Sequence, residues 1–173
     1  MLISLYTYYL THQVIKYFAL YYWELNLDTM NCDNIFKKPL HNILNSGVLI
    51  SGGYDYGRRA ALRSAEIYTP ATNTTCSLPP LPGVRYGHTQ NGGLACGGTG
   101  SSHSSKTCDL WSSESGSWTR SHTLRQSRYH HVSWATEDGV YLMGGTSGSC
   151  RTTELVKEDG SVKDGFSLKY STR

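Results

Sequence analysis

Short apolar runs that end in a pair of glycines recur along the chain from about residue 47 onwards. Each run is bounded by turn-forming residues, which is typical of a buried β-strand and not of a helix. The distance from Gly52 to Gly97 is 45 residues, and that from Gly97 to Gly144 is 47. This nearly constant spacing indicates a repeated structural unit. The three runs with their glycines are Val48–Ser51 with Gly52 and Gly53, Leu94–Cys96 with Gly97 and Gly98, and Val140–Met143 with Gly144 and Gly145.

Two further patterns recur between the glycine pairs, always in the same order. A small residue, an acidic residue and then apolar residues occur in segments 64–68, 106–111 and 152–156. Segment 85–88, with the sequence Arg-Tyr-Gly-His, is matched 43 residues later by segment 128–131, Arg-Tyr-His-His. Each of these two segments directly precedes the next apolar run. Order and spacing therefore repeat together.

Turn signals divide each repeat into several short strands. Glu137–Gly139 and Glu158–Gly160 are examples of segments typical of hairpin turns. Residues 54–62 read as a loop. The predicted strands are 48–51, 65–68, 75–78, 88–90, 93–96, 107–111, 117–120, 130–135, 140–143, 153–157 and 162–167.

These features resemble the Kelch repeat of β-propellers, in which an apolar strand ends in Gly-Gly, an aromatic residue follows, and an Arg-x-x-His-like segment precedes the next strand. The resemblance covers about residues 47–173; Trp118 and Phe166 fill the aromatic position, and Cys76 stands there in the first unit. It implies an all-β fold, a partial Kelch-type propeller of about three four-stranded antiparallel blades. The residues that it assigns to structural repeat positions are Gly52, Gly53, Gly97, Gly98, Gly144, Gly145, Arg85, His88, Arg128, His131 and Trp118.

The repeat region is too short to close a ring by itself. A propeller closes with about four to eight blades, whereas residues 47–173 supply fewer than three repeats. The sequence therefore favours a fragment of a larger propeller over a partial propeller that self-association completes. We divide the chain into residues 1–46, an N-terminal extension and connector, and residues 47–173, the propeller segment.

Residues 1–30 are rich in tyrosine and apolar residues and differ from the rest of the chain. They lack the basic start and the small-residue cleavage site of a secretory signal. Polar residues interrupt the apolar run that a membrane span needs. The favoured interpretation is an extension outside the propeller. A membrane-associated or anchor helix, an atypical signal sequence, and an added strand or helix packed on the repeats stay open as alternatives.

Charge and motifs point away from nucleic acid and from catalysis. The formal net charge is +3 and the basic residues are scattered, so we expect no nucleic-acid partner. Neither a phosphate-binding loop nor a nucleophile elbow occurs. His130 and His131 are adjacent and would point to opposite faces of a strand, so we expect no metal, no cofactor and no catalytic residue. The enzymatic alternative, through the Kelch resemblance, is a fragment of a galactose-oxidase-like copper-radical oxidase.

The five cysteines match no zinc pattern. In the propeller that the resemblance implies, Cys76, Cys96 and Cys108 fall near strands that neighbour one another. A disulfide of Cys96 with Cys108 or with Cys76 is one alternative, and free buried thiols are the other. Residues 73–75, Asn-Thr-Thr, form a glycosylation sequon. The compartment stays open between extracellular and cytoplasmic, with a slight preference for extracellular.

The function that the resemblance implies is a non-catalytic protein-interaction module or scaffold. Propellers carry their function on loops, and loops that follow the double glycines are the natural contact surface. The loops expected to bind a protein partner are Tyr54–Arg63, Thr99–Ser105 and Thr146–Arg151. Nothing in these loops identifies that partner.

Overall fold

The computed structural model describes residues 47–100, 105–145 and 151–170. Within these ranges the chain forms β-strands and no helix, and accordingly no helix long and apolar enough to cross a membrane is found there. The strands are β1 (Val48–Ser51), β2 (Tyr54–Asp55), β3 (Ala60–Ala61), β4 (Ala65–Thr69), β5 (Thr74–Leu78), β6 (Thr89–Asn91), β7 (Leu94–Cys96), β8 (Thr107–Ser112), β9 (Ser117–Thr123), β10 (Val132–Thr136), β11 (Gly139–Met143), β12 (Thr153–Val156) and β13 (Val162–Asp164).

The strands form three antiparallel sheets that follow one another along the chain, and one small hairpin. The first sheet has the order β1-β4-β5, the second β6-β7-β8-β9 and the third β10-β11-β12-β13. The hairpin pairs β2 with β3 and lies in the connection between β1 and β4. Strands that are consecutive in the chain are thus neighbours in the second and third sheets, as antiparallel meanders require.

The three sheets have the same backbone hydrogen bond at their double glycines. The N–H of the first glycine of each pair donates to a backbone carbonyl at the start of the following long strand. These bonds are Gly52 N to Ser64 O at 2.8 Å, Gly97 N to Thr107 O at 3.0 Å and Gly144 N to Thr152 O at 3.1 Å. Positions in the three sheets can therefore be equated. In that alignment β1 corresponds to β7 and β11, and the described residues contain no strand of the first sheet that corresponds to β6 or β10.

Two buried clusters join the sheets in chain order. One contains Leu49 and Ile67 of the first sheet together with Ala95, Trp111 and Trp118 of the second. The other joins residues of the second sheet to residues of the third, and its members are Cys96, Cys108, Leu124, Leu142 and Val156. Because side chains alternate between the faces of a strand, the second sheet packs on both neighbours, through Ala95 on one face and Cys96 on the other.

The prediction of an all-β, antiparallel fold is confirmed for the described residues. The strand bounds agree for β1 and differ by a few residues elsewhere; the last predicted strand, 162–167, ends at Asp164. The hairpin of β2 and β3 was not predicted, because two-residue strands leave no alternation to detect. The interpretations of residues 1–46 lie outside the described residues.

The residues expected at the aromatic repeat position differ in environment. Trp118 is buried, contacts the Trp111 ring at 5.6 Å between centroids, and donates from Nε1 to the Pro79 carbonyl at 2.9 Å. Phe166 follows β13 and is 49% exposed. Cys76 lies in β5 and is buried in the cluster between the first and second sheets. The first unit therefore packs a sulfur side chain where the second packs an indole.

Candidate interaction surface

A buried arginine ties together the strands of the second sheet. Arg85 lies before β6, and its Nη1 donates to the carbonyls of Ala95, Gly97 and Thr107 at 3.2 to 3.3 Å. Its Nη2 forms a buried ion pair with Asp109. Burial lowers the pKa of Arg85, and the neighbouring Asp109 carboxylate opposes that effect. The guanidinium thus satisfies backbone carbonyls and one carboxylate at the same time.

The third sheet repeats this arrangement with Arg128. Its Nη1 donates to the Gly144 and Thr152 carbonyls at 2.7 and 2.9 Å, and its Nη2 donates to Thr152 Oγ1 at 2.7 Å. Its Nε donates to Glu154 Oε1 at 2.9 Å. The acceptors occupy the same positions as in the second sheet. Both arginines predicted as structural repeat residues therefore lie in buried, hydrogen-bonded ion pairs. Removal of one partner from such a pair lowers the free energy of unfolding by about 3 to 5 kcal/mol.

The backbone carbonyl of each arginine accepts a hydrogen bond that connects its sheet to the preceding sheet. Gly53 N donates to Arg85 O at 2.8 Å, and Gly98 N donates to Arg128 O at 2.7 Å. At Gly97, φ is 68°, and a Cβ there would lie 2.5 Å from Arg128 O. Only glycine combines that conformation with such a close approach. The double glycines are therefore the points at which consecutive sheets meet.

His88 and His131 lie beside these junctions. A Cβ on Gly52 would come within 2.9 Å of His88 Cε1, and one on Gly97 within 2.8 Å of His131 Cε1. Thr89 Oγ1 and His131 Nε2 are 2.8 Å apart. Loss of solvent, followed by the neighbouring Arg85, lowers the pKa of His88 to about 4; loss of solvent and Arg128 do the same for His131. Both imidazoles are therefore neutral at neutral pH.

Aromatic rings of the arginine segments and of the β2–β3 hairpin contact one another in a continuous row. We call Tyr54, Tyr56, Tyr86, Tyr129 and His130 the tyrosine row. Successive ring centroids are 5.1 Å apart from Tyr56 to Tyr54, 4.9 Å from Tyr54 to Tyr86, 6.5 Å from Tyr86 to His130 and 5.2 Å from His130 to Tyr129. The row connects segments attached to all three sheets. Tyr56 at its end is 86% exposed.

Backbone hydrogen bonds hold the segments that carry the row. Tyr86 and Thr99 exchange two bonds of 2.9 Å, and His130 N donates to Gly87 O at 2.7 Å. Under the exposed end, the β2–β3 hairpin pairs Tyr54 with Ala61. The rings thus lie on a hydrogen-bonded support and present an exposed face, an arrangement that suits rigid aromatic anchors at protein interfaces.

The three loops expected to bind a partner are described to different extents. Tyr54–Arg63 contains the β2–β3 hairpin and supplies two members of the tyrosine row. Residues 101–104 and 146–150, which form most of the other two loops, lie outside the described residues.

A disulfide closes the base of the loop in the second sheet. Cys96 and Cys108 are directly opposite each other in β7 and β8, with a Cα–Cα distance of 4.1 Å, and their sulfurs are bonded. Cys76 is also disulfide-bonded. Neither Cys96 nor Cys108 is its partner, so the alternative pairing of Cys76 with Cys96 is not formed.

The described ranges contain no group of three or more His, Cys, Asp or Glu side chains placed to hold a metal ion. His130 and His131 do not lie in a strand, contrary to the prediction from the sequence. Both residues precede β10, which begins at Val132, and His130 has φ 54°. The strand-alternation argument therefore does not apply; His131 is buried and His130 is exposed, so the two imidazoles lie in different surroundings.

Two features of this site were not predicted from the sequence. They are the carboxylates that pair with the arginines, and the tyrosine row. The acidic residue at a constant place in each repeat was visible, but its pairing with an arginine 24 or 26 residues away was not inferred. Tyr86 and Tyr129 directly follow the repeated arginines, which is a signal that could have found them.

No protein-family model matches the chain, and no curated protein shows significant similarity to it.

Proposed function

We propose that the three sheets are blades of a Kelch-type β-propeller, and that the protein is a non-catalytic interaction module that binds a protein partner through the tyrosine row. Three observations support the fold: each sheet is antiparallel, the sheets pack in chain order, and the junctions at Gly53 and Gly98 are built alike. A complete ring takes about four to eight blades. Further blades would come from more of the same chain or from other copies.

The observation that carries the proposed binding function is the exposed end of the tyrosine row. Tyr56 is 86% exposed, although its ring contacts Tyr54, which in turn contacts Tyr86. Tyrosine buries a large rigid surface at a low entropic cost, and for that reason it is enriched among the residues that dominate interface energies. A partner that covers Tyr56 would bury a ring that already contacts the ring of Tyr54.

The test compares a double variant with a matched control. The double variant, Tyr54→Ala with Tyr56→Ala, removes the exposed end of the row. The control is Tyr170→Ala, because Tyr170 is 72% exposed and lies outside the row. The three proteins, tagged at the amino terminus and checked for equal melting temperature, are used in quantitative affinity purification from cells that express the chain. Proteins retained by the wild type and the control, and reduced about tenfold or more with the double variant, are the expected result. Equal retention by all three proteins would refute binding through the row.

A further inference from the structure

The turn between β4 and β5 leads into the only Asn-x-Ser/Thr sequence of the chain. Residues 70–73 form the turn, and Asn73, Thr74 and Thr75 run from its last position into β5. In such a sequence the asparagine amide accepts an N-linked oligosaccharide, provided that the middle residue is not proline. Thr74 meets that condition. Whether the sequence can be used then depends on the access to these side chains and on the compartment in which the chain matures.

The turn and the sequon lie on the surface of the first sheet. All of the residues 70–75 are exposed, so neither Asn73 nor Thr75 is covered by the described part of the chain. Within that part β5 pairs only with β4 and is therefore an edge strand. Asn73 has φ 52°, in the left-handed region that asparagine tolerates in turns. A transferase and a bulky glycan can thus reach this position.

The hydrogen bonds of the turn do not use the nitrogen of the Asn73 side chain. The backbone of the turn is held by Thr72 N donating to Thr69 O and Asn73 N donating to Pro70 O, both at 3.3 Å. Across the hairpin, the Tyr68 hydroxyl donates to Asn73 Oδ1 at 3.2 Å. Asn73 Nδ2 forms no hydrogen bond with any residue in ranges 47–100, 105–145 and 151–170. A glycan on Nδ2 would therefore displace no contact among these residues.

The cysteines indicate, independently of the sequon, where the chain matures. Cys76, which lies three residues after Asn73 in β5, is disulfide-bonded, and Cys96 and Cys108 are bonded to each other. Disulfides form in the lumen of the endoplasmic reticulum and persist in secreted proteins, whereas they are rare in the cytosol. N-linked oligosaccharides are attached in the same lumen. The disulfides therefore place the chain in the compartment in which the sequon is used.

The sequon and the tyrosine row leave opposite ends of the first sheet. Ser51, after which the chain enters the β2–β3 hairpin of the row, is paired with Ala65 at the start of β4. The sequon follows the other end of β4, at Thr69. At a rise of about 3.3 Å per residue, the two ends of this five-residue strand are about 13 Å apart. A glycan on Asn73 would thus extend from the end of the sheet that does not carry the row.

We propose that Asn73 carries an N-linked oligosaccharide. The co-reactant is an oligosaccharide joined through its anomeric carbon to a polyprenyl diphosphate. A bond forms between Asn73 Nδ2 and the anomeric carbon, and the bond between that carbon and the diphosphate oxygen breaks. The polyprenyl diphosphate leaves with the electron pair, and Nδ2 releases one proton, so the product is a neutral amide. The Thr75 hydroxyl is the second group that the transferase recognises.

The first test uses the endogenous protein, immunopurified from cells that produce it. Peptide N-glycosidase F removes N-linked glycans and converts the modified asparagine to aspartate. Treatment in water labelled with heavy oxygen should lower the mass of the protein, and peptide mapping should find the label at residue 73. An incubation without the enzyme controls for spontaneous deamidation. A mass that the enzyme leaves unchanged, with no enzyme-dependent label at residue 73, would overturn the site.

The second test compares variants of the full chain in the same cells. Asn73→Asp lacks the amide nitrogen and Thr75→Ala lacks the hydroxyl, so both should lose the glycosidase-sensitive mass completely. Thr75→Ser should keep it, and so should Thr74→Ala, the matched control at the middle position. Circular dichroism melting identifies a variant that fails to fold, and the label in the wild type is independent of all variants. A glycosidase-sensitive mass that persists in Asn73→Asp would refute attachment at this residue.

Discussion

Acidification should loosen the junctions between the sheets through His88 and His131. In the folded protein the pKa of each imidazole is held at about 4, against an ordinary value of 6.5. Between these two pH values the unfolded chain binds protons that the folded chain does not. The free energy of unfolding therefore falls as the pH decreases, beginning near 6.5 and ending near 4.

The size of this effect follows from the size of the two pKa shifts between the unfolded and the folded protein. Each pKa unit corresponds to about 1.4 kcal/mol, so each histidine accounts for a loss of about 3 kcal/mol once the pH is below both values. For a small domain with a total stability of about 5 to 15 kcal/mol, two such losses are large. The cause is local, because a protonated imidazole would be buried away from solvent and would also lie beside a cation, Arg85 for His88 and Arg128 for His131.

The assay is urea unfolding at a series of pH values, without reducing agent, for the wild type and for His88→Gln with His131→Gln. The carboxylates titrate in both proteins, so the difference in unfolding free energy isolates the histidines. That difference should shift by about 5 kcal/mol in favour of the double variant between pH 6.5 and pH 4, and each single variant should give about half. A difference that stays constant over this range would refute the reasoning.

Three other predictions concern stability. Gly97→Ala should cost about 3 kcal/mol or more, because its Cβ would lie 2.5 Å from a backbone carbonyl of the next sheet; Gly116→Ala, at φ 60° but with open space around it, should cost only about 1 kcal/mol in the same melts. Replacing Cys96 and Cys108 together by alanine should lower the unfolding free energy by about 3 kcal/mol in urea, and an unchanged midpoint would contradict a role of the disulfide in stability. Trp118→Phe should cost about 1 to 2 kcal/mol, because the hydrogen bond from its indole to a backbone carbonyl is lost, and equal melting of the two proteins would exclude that contribution.

The strands could be predicted because their signals are local. Strand β1 has the predicted bounds, since an apolar run followed by two glycines leaves little freedom. The hairpin β2–β3 was missed because its pairing depends on backbone bonds such as that from Leu62 N to Gly53 O, which no side-chain pattern reports. Local sequence thus indicated where strands lie, but not all of the pairing in their connections.

Side-chain contacts across the repeats were harder to predict. The ion pair of Arg85 with Asp109 joins residues that the alignment of repeats places at constant positions, but the sequence does not say that the two positions meet. The tyrosine row runs from Tyr56 to Tyr129 and draws its rings from segments attached to all three sheets. Such a row exists only after the sheets are packed, so no single segment could have indicated it.

The disulfide between Cys96 and Cys108 makes the stability of the second sheet less dependent on the loop that the disulfide closes. Because the bond holds both ends of that loop 4.1 Å apart at Cα, the entropy of the enclosed residues hardly enters the folding equilibrium of the strands. Apart from Gly97, Gly98 and Thr107, which bind Arg85 and Arg128, the enclosed residues can then change in sequence or number at a small entropic cost to the sheet. A sheet built in this way can accept changes in one segment while its core stays the same.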